Sequence, residues 1–152
     1  MEKFIIDDIF ADGYERFAIV EGIEHNIKLN VHFLEYDEYL ENSEESRKKK
    51  KGDILEGCIS IGLVTVSERV DKELIYHQEI PKSSHIEAIV EVVQIINKYS
   101  MYAFSSILDE NILIKFENVV EYKVGDRILI IGSLEMNEIV ICLQKKFGKN
   151  SF

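Results

Sequence analysis

Hydrophobic and polar positions alternate along most of this chain, and the alternation predicts strands. Residues 2–10 read as a first strand, with Asp7 and Asp8 interrupting the pattern. Ala11-Asp12-Gly13 is a turn signal. Phe17 to Gly22 reads as a second strand, and Glu24-His25-Asn26 as a short hairpin loop. Next comes the clearest strand of this half. Ile27, Leu29, Val31 and Phe33 alternate with Lys28, Asn30 and His32, a period of two with one buried face. Asp53 to Val66 is a long strand. It places Leu55, Ile59, Ile61 and Leu63 on one face, and Cys58, Ser60, Val64 and Val66 on the other. Gly57 and Gly62 mark bulges or bends in it. Leu74 to Ile80 is a further candidate strand, and Pro81-Lys82-Ser83-Ser84 the best linker candidate.

The second half follows the same order. Ile86 to Asn97 is a long apolar strand, with a helix as the rival reading. Tyr102 to Leu108 and Ile112 to Phe116 are strands around the loop Asp109-Glu110-Asn111, and residues 117–124 lead into a strongly apolar strand, 125–136. Met136-Asn137-Glu138 reads as a tight turn, Ile139 to Gln144 as a return strand, and 145–152 as a loosely held tail.

One segment breaks the strand pattern. From Leu34 to Lys51 the apolar residues Leu34, Tyr36, Tyr39 and Leu40 fall at helical spacing, with Asp37 as N-cap. Acids come first and bases last, which suits the helix dipole, and Glu44–Lys48 and Glu45–Lys49 are i,i+4 pairs. The expectation is one short helix near 37–49, docked at its start. No apolar residue follows Leu40 until Ile54, so residues 42–51 are expected to exchange their amides quickly.

Both halves carry a Gly-Asp turn signal before a β-branched run: Gly52-Asp53-Ile54-Leu55-Glu56-Gly57 and Gly125-Asp126-Arg127-Ile128-Leu129-Ile130. Phe17–Val31 also lies ungapped on Tyr102–Phe116, with twelve extra residues before the first Gly-Asp. An internal repeat and the convergence of two amphipathic hairpins both account for this. The order strand, strand, strand, connection, Gly-Asp strand, return strand resembles the oligonucleotide/oligosaccharide-binding fold, a small five-stranded barrel. The resemblance implies a mainly β protein of two barrel-like modules, 1–80 and 85–147, which are separate or share one core. Nucleic-acid-binding members of that fold need a cationic groove with exposed aromatics. Here the matching strands carry Lys28, Lys115 and Arg127 among many acids.

Charge narrows the functions. The chain has 152 residues and a net charge of -10. Residues 1–46 hold thirteen acids and three bases, and Arg47-Lys48-Lys49-Lys50-Lys51 follow at once. An acidic N-terminal third repels nucleic acid and attracts basic proteins. No apolar run reaches the length of a bilayer span and the N-terminus is no signal peptide, so the expected location is the cytoplasm. Cys58 and Cys142 are then expected as free thiols.

Catalytic chemistry finds no footing in the sequence. Asp7 and Asp8 are adjacent, so a strand points them to opposite faces. His25, His32, His77 and His85 show no metal-ligand spacing, and no Gly-rich loop opens a helix. The expectation is a non-enzymatic protein-binding module without metal or cofactor, in the class of inhibitors and toxin-neutralising immunity proteins. Its acidic face is assigned to Asp12, Glu15, Glu21, Glu24, Glu35, Asp37, Glu38 and Glu41. The alternative is a nucleic-acid-binding barrel using Arg47 to Lys51 and Lys145 to Lys149. Seven tyrosines and no tryptophan add candidate interface residues.

Overall fold

The structure is a computed structural model and describes residues 2–41 and 44–138. It is mainly β. The strands are β1 Lys3–Asp12, β2 Glu15–Gly22, β3 Lys28–Leu34, β4 Ile54–Arg69, β5 Ile75–His77, β6 His85–Asn97, β7 Ser100–Ser105, β8 Glu110–Phe116 and β9 Arg127–Glu138. The return strand expected over 139–144 and the tail lie outside the described residues.

The chain divides into two compact units: Met1–Cys58 with the segment from Met136 onward, and Ile59–Glu135. The division therefore falls inside β4 and β9, not at Pro81–Ser84. In the first unit β1, β2 and β3 form an antiparallel meander, and β1 also pairs antiparallel with the start of β4 through Phe4↔Leu55. Alternation directs Phe4, Ile6, Ala18, Val20, Leu29, Val31 and Phe33 into its core. In the second unit β6, β7 and β8 repeat the meander, and β6 pairs antiparallel with β9 through Val90↔Ile128. There β8 runs parallel to the later part of β4, and β5 pairs with β6. The rival helix over 86–97 is excluded. Ile86, Ala88, Val90 and Val92 are buried at a period of two, as a strand requires. Ile128 and Ile130 are fully buried in β9, with Leu129 and Ile131 half-buried on its other face.

The Gly-Asp turns match bond for bond. Lys50 N donates to Asp53 Oδ2 (3.0 Å), as Lys123 N does to Asp126 Oδ2 (2.9 Å). Gly52 N donates to Ile6 O (2.7 Å) and Gly125 N to Val92 O (2.8 Å). Both glycines sit in the left-handed region, at φ +92° and +93°, where a side chain would be strained. These bonds make Ile6 the counterpart of Val92. Each is followed by a register shift, and they pair with Val20 and Ala103 respectively. Asn26 and Asp109 then share a left-handed φ in the next turn. Val20 thus matches Ala103, two residues from the ungapped alignment. A two-residue shift preserves which face points inward.

Several expectations are corrected. No helix occurs among the described residues. Of the residues meant to dock the helix over 37–49, Tyr36 and Tyr39 are exposed and only Leu40 is buried, too little apolar contact to hold an amphipathic helix. In β4 the alternation breaks one residue later than Gly62. Leu63 adopts φ +53°, the register against β8 shifts between Ile61 and Val64, and Leu63 turns outward while Val64 turns in. Cys58 is disulfide-bonded rather than a free thiol, and no described cysteine is free.

Candidate functional site

The first unit has more chain than the second in two places. The path from Ile6 to its partner Val20 takes residues 7–19, whereas that from Val92 to Ala103 takes 93–102. The path from β3 to Gly52 takes residues 35–51, whereas β8 reaches Gly125 through 117–124. These two additions meet. Gly13 N donates to Leu40 O (2.7 Å), Leu40 N to Gly13 O (3.0 Å) and Glu35 N to Tyr14 O (2.8 Å). Gly13 is needed here. Its φ is +64°, and a Cβ on it would come within 3.2 Å of the Tyr39 ring.

Arg16 locks the junction from inside. It is fully buried, and its guanidinium donates through Nη1 to Gly13 O (2.9 Å) and Glu15 O (3.0 Å), and through Nη2 to Glu38 O (2.6 Å). Nη2 also lies 3.3 Å from the Glu38 carboxylate. That carboxylate accepts from Ser46 Oγ (2.7 Å) and Arg47 N (2.9 Å). The Ser46 hydroxyl and the Arg47 amide, with Arg16 adding to them against partial burial, hold the Glu38 carboxyl down at about 2. Glu35 is buried and paired with Lys49, whose ammonium stands 5.4 Å over the Phe33 ring.

Outside this lock stand three tyrosines, of which Tyr14 packs on both of the others. Tyr14 packs edge-on against Tyr39 at 5.1 Å and tilted against Tyr36 at 6.4 Å, centroid to centroid. They are 46%, 74% and 62% exposed for Tyr14, Tyr36 and Tyr39. Asp12, Glu15, Asp37 and Glu41, all exposed, flank them along the chain. Glu15 also lies 3.3 Å from the ring of His32.

The acidic face drawn from sequence is thus split. Asp12, Glu15, Asp37 and Glu41 are exposed and lie within two residues of a cluster tyrosine in the chain. Glu35 and Glu38 point inward to cations of the same chain, and are not the surface residues expected. Glu21 and Glu24 belong to the opposite end of β2. In the basic run, Lys49 is engaged with Glu35 and the Arg47 amide with Glu38, while Arg47, Lys48, Lys50 and Lys51 are exposed. Lys145 to Lys149 lie outside the described residues.

Sequence spacing also concealed a grouping of Glu2, Glu24 and His25, whose ligand-type atoms lie within 4.8 Å of one another. Burial pushes the Glu2 carboxyl up. Hydrogen bonds from the Glu24 amide, the His25 ring and the His25 amide outweigh it and carry the group below its ordinary value. Both Glu2 oxygens are used in these bonds, at 2.8 Å to Glu24 N and 2.6 Å to His25 Nδ1. This makes the group a cap on the β2–β3 turn.

Comparison with protein-family models, curated proteins and solved structures finds no match for this chain. No described helix is long and apolar enough to cross a membrane.

Proposed function

We propose that this protein is a non-enzymatic protein-binding module whose first unit engages a basic partner through Tyr14, Tyr36 and Tyr39 and the acids Asp12, Glu15, Asp37 and Glu41. The observation that carries this reading is the exposed tyrosine cluster, Tyr14 packed on both Tyr36 and Tyr39, built on the two segments that are longer in the first unit than in the second. Tyrosines concentrate binding energy because they bring a large amphipathic area at small entropic cost. The exposed flanking carboxylates steer a basic protein and disfavour a phosphate backbone. An inhibitor or immunity protein of this kind would act by covering a basic functional surface of its partner. The meander closed by an antiparallel fourth strand, found in each unit, supports the barrel-like reading, but a fold of that kind does not choose the ligand. The nucleic-acid alternative loses Lys49, which is spent on Glu35.

The test compares wild type with a variant carrying Asp12→Asn, Glu15→Gln, Asp37→Asn and Glu41→Gln. Immobilised wild type should retain a basic protein from the source lysate, with an association rate that falls steeply as salt rises. The variant should fold normally and lose that protein. Submicromolar binding of a random oligonucleotide by the wild type at physiological salt, abolished by neutralising Arg47, Lys48, Lys50 and Lys51, would overturn the proposal.

A further inference from the structure

We infer that the tyrosine cluster receives one arginine side chain of that basic partner, stacked on the exposed ring of Tyr36 beside Tyr14; this rests on the protein-binding reading of the same surface. The rings of Tyr14 and Tyr36 are tilted by 39° at 6.4 Å between centroids, so they are not stacked face to face, and Tyr36 is 74% exposed. Tyr39 meets Tyr14 edge-on at 75° and braces it. An aromatic face is electronegative and attracts a cation placed over it.

Three features select the cation. Asp37 follows Tyr36 directly, so the receiving ring has an exposed carboxylate next to it in the chain, and Glu15, after Tyr14, adds a second that lies 3.3 Å from the His32 ring. A guanidinium can stack on a ring and donate sideways to a carboxylate in one pose, because its donors lie in its own plane. An ammonium is more strongly hydrated and has no flat face to stack, so arginine fits better than lysine. The platform is also assembled in advance. The Gly13–Leu40 and Tyr14–Glu35 backbone bonds and the Arg16 lock hold the ring-bearing segments together, so little order remains to be imposed on binding.

The experiment uses the full chain and a short glycine–serine peptide containing arginine, with a citrulline counterpart of equal shape and no charge. Amide and ring signals are followed by NMR during titration. The arginine peptide should shift the signals of Tyr14, Asp37 and Tyr36, and the citrulline peptide should not. Tyr36→Phe keeps an aromatic face and should bind like wild type. Tyr36→Leu keeps apolar bulk without the ring and should weaken binding about two- to fivefold, as expected at an exposed cation–aromatic contact. Tyr36 is mostly exposed, so neither variant threatens folding. Citrulline binding equal to arginine overturns the cation receptor. Arginine binding unchanged in Tyr36→Leu but lost in the four-acid amide variant overturns it too, and leaves the acidic protein-binding surface standing. If neither peptide perturbs this surface, the arginine receptor falls, while the protein-binding reading still stands or falls on whether the four-acid variant loses the basic protein that the wild type retains.

Discussion

The two connections that lead into the Gly-Asp turns do the same structural task with different chemistry. In the second unit, residues 117–124 cross from β8 to the turn, held by backbone bonds from Glu117 N to Val64 O and from Val120 N to Lys98 O. In the first unit, residues 35–51 cover the equivalent step, where backbone bonds to Gly13 and Tyr14 are joined by a charged side-chain network: Arg16 to Glu38, Glu38 to Ser46 and Arg47, Glu35 to Lys49. The turns they reach are the same bond for bond. The contrast teaches where a site can be added. The strands and their turns fix the frame, and longer segments between them carry the exposed chemistry.

If that division holds, damage to the frame should cost most. Ile130→Ala removes a fully buried side chain from β9 and should destabilise the protein by about 2–5 kcal/mol, read from the urea midpoint. An unchanged midpoint would place the core elsewhere. Arg16→Met should cost about 1–3 kcal/mol, because it leaves acceptors at Gly13, Glu15 and Glu38 without their donor. It should also scatter the tyrosine cluster, seen as loss of the Tyr14–Tyr39 ring contact by NMR, while the second unit keeps its amide protection. A uniform loss of protection in both units would break the comparison.

The matched turns allow a sharper test. Asp53→Ala and Asp126→Ala each delete one side-chain acceptor for a lysine amide, and each should cost about 1 kcal/mol. Markedly different costs would mean that the turns are alike in shape but not in energetics. The most local effect is one of pH. Glu38 lies well below the ordinary carboxyl value of 4.5, so its contribution is present above about 4.5 and is lost as pH falls toward about 2. Protection of the Arg47 amide, its exchange rate set against that of an unstructured amide at the same pH, should therefore fall across that window. A Glu38→Gln variant should lack the transition; if it responds to acid as the wild type does, another group is responsible.

Much of the frame was legible because strand burial writes itself as a period of two. Ile27 to Phe33 and the Gly-Asp runs are examples, and the twofold period survived even where the alignment of the halves slipped by two residues. The segment after Leu34 was misread for a physical reason. Glu35, Glu38 and Lys49 look like solvated helix charges, and nothing local shows that a cation buried on β2 will draw Glu38 inward. Arg16 itself gave no sign, being a lone base in an alternating strand, at a position whose parity points inward. Tyr14, Tyr36 and Tyr39 were visible as interface residues by type. Their convergence depended on the Gly13–Leu40 pairing, which joins positions distant in the chain. Leu63 shows the same lesson in small: a bulge moves one leucine outward, and glycine content misplaces it by one residue.

The passage of β4 and β9 from one unit to the other has a consequence for synthesis. The second unit is one continuous stretch, Ile59–Glu135, whereas the first joins residues up to Cys58 with a segment that begins at Met136. A ribosome therefore finishes the second unit before the first has its last segment, the reverse of the usual N-terminal-first order. At typical elongation rates of about 5–20 residues per second, the 78 residues from Cys58 to Met136 take on the order of 4–16 s. During that interval the β1–β3 meander stands without its late-arriving segment. Stalled chains that expose residues up to Glu135 should resist protease over Ile59–Glu135 while β1 to β3 are still cut. Equal resistance of both regions at that length would show that the meander secures itself without waiting.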